Sequence, residues 1–254
     1  MTPPPPGPRA ATARERARAE LTREIKEEAR RQLVATGAEG LSLRAVAREL
    51  GMVSSALYRY YPSRDELLTA LIIDAYNALG EAAEQAIAVS APARERWIAA
   101  CHAVRDWARS NPQEYALIYG SPVPGYRAPQ ATIGPASRVP LAFIGVVQDA
   151  LSAGELTAAE GALPVAGALA EQAAVLSAAL SREAASREAQ GAPAGEGASA
   201  GVPPDALVRA MIAWTQLFGM ISFELFGQLV GSFEPADELF AYAVAQFAAF
   251  VGLR

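Results

Sequence analysis

Strands have almost no foothold in this sequence. Alternation of Val, Ile and Thr with polar residues is nearly absent from its 254 residues, while alanine and leucine dominate, which predicts an all-α chain. Cysteine and histidine occur once each, as the neighbours Cys101 and His102. One thiol permits no internal disulfide, and two side chains pointing about 100° apart on a helix make no metal site. Nothing resembles a signal peptide or an unbroken run of about 18 apolar residues, so a cytoplasmic location and no membrane partner are expected. There is no nucleophile elbow, P-loop or dinucleotide fingerprint, and the expectation is a non-enzyme without cofactors.

Positive charge is scarce overall but unevenly placed. The net charge is −5, yet residues 9–64 carry 12 basic and 7 acidic side chains, net +5, and the remainder 10 basic and 20 acidic, net −10. A basic head on an acidic body is the footprint expected when only the head meets DNA. With 52% hydrophobic residues, the chain is too apolar for disorder and can bury one large core or two modest ones.

The organising stretch is Leu41 to Tyr61, LSLRAVARELGMVSSALYRYY. Leu43, Val46, Ala47 and Leu50 repeat at helical spacing before Gly51, and Ala56, Leu57, Tyr60 and Tyr61 after it. Ser42 is placed to cap the first short helix, and Ser54 and Ser55 open the second, over about 54–61. Helices of about eight residues are unstable alone, so both must dock on a larger element, as in a helix-turn-helix. That element is an amphipathic helix over about 13–36 bearing Leu21, Ile25, Ala29, Leu33 and Val34, ended by Gly37. If Leu57 and one terminal tyrosine face inward, Ser54, Ser55, Tyr58 and Arg59 project outward. Such groups either form a solvated face or reach phosphates and base edges in a major groove. A proline-rich tail, residues 1–13, precedes Arg14, Arg16 and Arg18; with Arg9 these form either a solvated tail or an arm touching DNA. After Pro62, the Ser63-Arg64-Asp65-Glu66 capping box starts a long helix over about 63–89.

The run from Ile25 to Leu71, with ATGAEGLSLRAVARELGMVSSALYRYYPSRDELL in order, resembles the N-terminal domain of the tetracycline-repressor (TetR) family of bacterial transcriptional regulators. The resemblance implies that Ser42 and Tyr58 bind phosphates, that Arg44, Ser54, Ser55, Arg59 and Tyr60 face the groove, and that Arg64 clamps the DNA backbone. The family usually carries His-Phe or Tyr-Phe after Leu-Tyr-Arg, where this chain has Tyr60-Tyr61. Further on, NPQEYALIYGSPVPGYRAP from Asn111 to Pro129 is similar to a segment of the TetR branch with a WHG-type C-terminal domain.

Beyond residue 90 helices are expected over about 91–110, 114–119, 135–153 and 163–188, with irregular chain over 120–137 and a flexible linker over about 190–204. An apolar helix follows over 205–230, in which Gly219, Gly227 and Gly231 suggest close helix approach, and a last one over 235–252. Two helices so apolar either close an internal core or form a homodimer interface as a four-helix bundle. Trp97, His102, Tyr115, Tyr119, Phe143, Trp214 and Phe218 are candidate linings of a cavity for a small apolar effector, or plain core. The expected organisation is a tail, 1–13, a three-helix helix-turn-helix domain, 14–62, and a helical-bundle effector and dimerisation domain, 63–254. The expected function is a homodimeric repressor that leaves a palindromic operator on double-stranded DNA when an effector binds. The alternative is a DNA-binding regulator or architectural protein without an effector.

Overall fold

The computed structural model describes residues 12–157, 163–189 and 201–254, without the side chains of 183–189. The tail over 1–11 and the linker over 190–200 lie outside the described residues. Ten α-helices occur among those described: α1 (Ala13–Thr36), α2 (Leu43–Glu49), α3 (Ser54–Leu57), α4 (Arg64–Ile87), α5 (Ala93–Ser110), α6 (Pro112–Tyr119), α7 (Ile133–Ser152), α8 (Gly167–Ala189), α9 (Pro204–Leu225) and α10 (Asp237–Val251). No strand is present among them beyond a single antiparallel bridge, Leu156 to Leu253. The all-α expectation holds.

The chain divides into two units within α4. The first comprises Met1–Ile72 and Ser121–Pro129, and the second Ile73–Gly120 and Gln130–Arg254. In the first unit, Thr12 caps α1 reciprocally with Glu15, each backbone N–H donating to the other's side chain, and Gly37 ends the helix with its N–H on Leu33 O. Ile25, Ala29 and Leu33 of α1 are buried with Leu43, Val46 and Ala47 of α2, Leu57 of α3 and Leu67, Leu68 and Leu71 of α4. Segment 121–129 belongs to this unit, where the Tyr126 hydroxyl lies 2.9 Å from Thr69 Oγ1.

The second unit is a helical bundle built around Trp97, Cys101 and Val104 of α5, Phe143, Val146 and Val147 of α7, Leu217 and Ile221 of α9, and Phe240, Val244 and Val251 of α10. Helix α7 starts at Ile133, earlier than expected, because Pro135 falls in its first turn, where a missing N–H costs nothing. Helix α9 stops at Leu225, short of the expected residue 230: Gly227 and Gly231 both take φ +77° and belong to a turn. The expected helix approach at Gly219 is also absent, since a Cβ there would meet nothing within 4 Å. The close approach occurs at Gly80, where a Cβ would lie 2.7 Å from Cβ of Arg138. That gap admits Arg138 against α4, where it donates to Asn77 O at 2.9 Å and to both Glu84 oxygens at 2.9 and 2.6 Å. By length and composition α9 could cross a membrane, with mean hydropathy 1.4 over 18 residues. Its buried Ala213, Leu217 and Ile221 nevertheless serve the bundle core.

Candidate nucleic-acid interface

Helix α2 begins as its sequence requires: Ser42 Oγ accepts from Ala45 N–H at 3.4 Å. Gly51 then takes φ +63°, a conformation that a side chain strains, and Met52 N–H returns to Ala47 O at 2.8 Å. The second helix is shorter than periodicity suggested. Only Ser54–Leu57 is α-helical, and Tyr58, Arg59 and Tyr60 continue as turns. Its cap position is held by Val53, with no side-chain cap, so Ser54 is the first helical residue and not a cap. Leu57, fully buried, is the only buried residue of α3, and Tyr61 is the inward tyrosine, at 8% exposure.

Around that anchor the predicted residues sort into three groups. Arg44 on α2, Ser55 on α3, and Tyr58 and Arg59 beyond it are exposed, Tyr58 at 41%. Ser42 and Ser54 are half-buried; Ser42 Oγ serves α2, and its N–H donates to Gln32 Oε1 at 3.3 Å. Tyr60 and Arg64 are engaged within the unit. The Arg18 guanidinium lies over the Tyr60 ring, 5.6 Å from its centroid. Arg64 Nε donates to Leu41 O at 3.2 Å and Nη2 to Ala38 O at 2.6 Å, pinning the α1–α2 connection to the start of α4. Its Nη1 is 3.5 Å from Asp65 Oδ1. A serine hydroxyl that accepts a backbone N–H can still donate, so Ser42 keeps one proton to give.

In the second unit the candidate effector residues separate. Tyr119 and Phe218 rings lie 4.3 Å apart, Trp214 and Phe218 5.3 Å, and Tyr115 stacks parallel to Phe218 at 6.4 Å. Tyr115 Oη donates to Phe218 O at 3.0 Å and sits 2.9 Å from Ser222 Oγ. Trp97 packs edge-on to Phe143, at 4.7 Å, whereas His102 meets Phe240 at 5.3 Å. Phe143 and Trp214 line an apolar cleft with Pro140, Ile144, Leu207, Ala210 and Met211, with about 10 Å³ of free space, roughly one water's worth. Nε1 of Trp97 and of Trp214 are buried and lack a hydrogen-bond partner among the described residues. Among those residues no group of histidine, cysteine and carboxylates is placed to hold a metal.

Burial pushes the Tyr115 hydroxyl up to about 12, partly offset by Ser222, and raises Tyr119 further, with Tyr76 and Tyr115 adding to burial. Burial also raises the thiol of Cys101, which is wholly enclosed. An ultraviolet titration is expected to leave Tyr115 and Tyr119 protonated above pH 10, the ordinary tyrosine value. Because the folded value of Tyr115 exceeds its unfolded value of 10.0, its contribution to stability persists below pH about 10 and fades as pH rises toward about 12. Ionisation of Tyr115 and Tyr119 near pH 10, before unfolding, would contradict that burial.

Residues 25–71 match the model of Bacterial regulatory proteins, tetR family, and residues 97–247 that of the Tetracyclin repressor-like, C-terminal domain. An HTH-type transcriptional regulator of Mycobacterium bovis is 48% identical over 151 residues, 58% of this chain; the match spans 64% of that relative's length. The crystal structure of SCO4313, described as a candidate regulatory protein, superposes with TM-score 0.66 at 34% identity over 93% of this chain and 98% of its own. A tetR-family regulatory protein from Rhodococcus RHA1 shares the fold, with TM-score 0.58 at 13% identity over 92% of this chain and 98% of its own. With its helix-turn-helix and its C-terminal helical domain both matched, the chain belongs to the TetR family of bacterial transcriptional regulators.

Proposed function

We propose that this chain is a DNA-binding repressor that acts as a homodimer on a palindromic operator and is released by a small apolar effector. The observation that carries this reading is the exposure of Arg44, Ser55, Tyr58 and Arg59 about the buried Leu57. A phenol, a hydroxyl and two guanidiniums on so small a scaffold suit phosphate and base-edge contacts. Two copies related by a two-fold axis would enter successive major grooves, about 34 Å apart.

Dimerisation is supported by apolar side chains left uncovered in one copy. Met211, Ile212 and Phe223 of α9 and Tyr242 and Phe250 of α10 are exposed, Phe223 at 56% and Tyr242 at 67%. Helix α8 adds Leu169, Val175 and Leu176. So much uncovered apolar surface is typical of a self-complementary contact. The cleft beside Trp214 is lined by apolar side chains, the lining an apolar effector needs, and it would have to open well beyond its one-water volume to admit one. Such a ligand must favour one operator-spacing state over another; equal affinity for both would change nothing. The Gly120–Pro129 segment supports placement in the WHG-type branch.

Selection of bound duplexes from random DNA is expected to return a palindrome, and a thermal-shift screen a stabilising apolar compound that releases it. Removing the Tyr58 hydroxyl by Tyr58→Phe should weaken operator binding about tenfold, the worth of one hydrogen bond to a charged group. Stability should change by less than about 0.5 kcal/mol, as for an exposed site. Equal titration curves for parent and variant would remove Tyr58 from the interface. The small size of the cleft favours a second reading, a regulator without an effector, which predicts a palindrome but no releasing compound.

A further inference from the structure

Helix α1 opens with an unfavourable charge arrangement. Arg14 and Arg18 are four residues apart and share a face, where like charges repel, and Arg14 stands in the first turn, near the positive end of the helix dipole. Neither is ion-paired among the described residues, and Arg59 is not either. The next arginine on the helix, Arg23, is by contrast held between Glu20 and Glu27. Arg14, Arg18 and Arg59 meet around a concave notch of about 420 Å³ whose remaining wall is Ala17, Leu21 and Tyr60. Arg18 lies over the Tyr60 ring. The notch thus combines three guanidiniums with the apolar side chains of Ala17 and Leu21 and the Tyr60 ring, and Arg59 adjoins the exposed Tyr58. Local choices that weaken a helix without compensation inside the fold point to a partner that supplies it.

The geometry points to a seat for the sugar-phosphate backbone of duplex DNA, in which Arg14, Arg18 and Arg59 hold phosphates and Tyr60 is a positioning residue beneath Arg18. A deoxyribose can rest on Leu21 and Ala17 while the flanking phosphates meet the guanidiniums. This inference rests on the DNA-binding reading and extends it: the interface reaches the first turns of α1, and Tyr60 acts through Arg18, not on a base or phosphate. The contacts are blind to sequence, because phosphates carry no base identity.

The test uses the duplex that the parent chain selects from random DNA, titrated with the full-length protein between about 50 and 200 mM salt. Four proteins are compared: the parent, the double variant Arg14→Gln with Arg18→Gln, Tyr60→Phe and Tyr60→Leu. Each phosphate contact contributes about 0.9 to the slope of log K against log salt. The double variant should therefore lose about 2 from that slope while selecting the same sequence. Tyr60→Phe keeps the ring under Arg18 and should match the parent; Tyr60→Leu removes it and should lose up to about 1. An unchanged slope in the double variant, or equal damage from Tyr60→Phe and Tyr60→Leu, overturns the assignment. A parent that binds no duplex at all ends the DNA reading together with this one; a parent that binds, beside an indifferent double variant, ends this one alone.

Discussion

Replacing Leu57 with alanine is expected to abolish operator binding without touching any group displayed to DNA. Leu57 is fully buried and is the sole buried residue of a four-residue helix. A helix that short has no stability of its own; it exists because Leu57 is packed into a core shared with α1 and α2. Truncating a buried leucine costs about 2 to 5 kcal/mol, and the small first unit has little margin from which to absorb it. Hydrogen exchange should show α2 and α3 amides losing protection while those of α9 and α10 retain it. The exposed change Ser55→Ala provides the contrast, with stability altered by less than about 0.5 kcal/mol. Operator affinity within twofold of the parent for Leu57→Ala would mean that α3 is not held by this anchor.

The second large effect is expected at Arg105, in the other unit. The residue is 3% exposed. It donates Nε and Nη2 to the two oxygens of Glu224 at 2.7 Å each, Nη1 to Asp237 Oδ1 at 2.9 Å, and lies 4.6 Å from the Phe240 ring centroid. One side chain of α5 thus ties α9 to α10. Arg105→Met would leave the Glu224 carboxylate, 17% exposed, without its main partner, and breaking such a pair costs about 3 to 5 kcal/mol. Arg105→Lys should rescue little, since an ammonium cannot reproduce the two-pronged contact. Adding Glu224→Gln to Arg105→Met should recover part of the loss, because the stranded charge is then gone. Calorimetry on the three variants decides it: equal melting temperatures for Arg105→Met and the parent would show the pair to be a spectator. The same contact carries a pH signature. The hydrogen bond from Arg105 holds Asp237 below its ordinary carboxylate value, so its contribution is present above that range and is lost as pH falls through it.

How much of this was legible beforehand follows the range of the interactions involved. Caps and glycine stops are local, and Ser42, Gly37 and Gly51 act where the sequence placed them. Period alone located Ile25, Ala29 and Leu33 of α1, Leu43, Val46 and Ala47 of α2, and Leu57, but it also placed Val34 on the inner face of α1, where the structure leaves it 66% exposed. Periodicity overran in two places, carrying α3 past Leu57 and α9 past Leu225, because apolar spacing persists where the backbone has already turned. Partners distant in sequence left no trace in spacing. Arg64 on the carbonyls of Ala38 and Leu41, Arg138 in the gap at Gly80, and Arg105 between Glu224 and Asp237 all join residues 23 to 132 positions apart. Arg105 is buried on the inner side of α5, but spacing cannot tell a buried charge from a surface one until its acids are located.

The enclosure of Cys101 has a practical corollary. As the sole thiol in the chain is sealed in apolar surroundings, a cysteine introduced at an exposed position such as Ser55 would be the only one open to a maleimide. Spin labels attached there would report the separation of the two α3 helices of the proposed dimer in solution, with and without a candidate compound, and the native thiol would contribute no background signal.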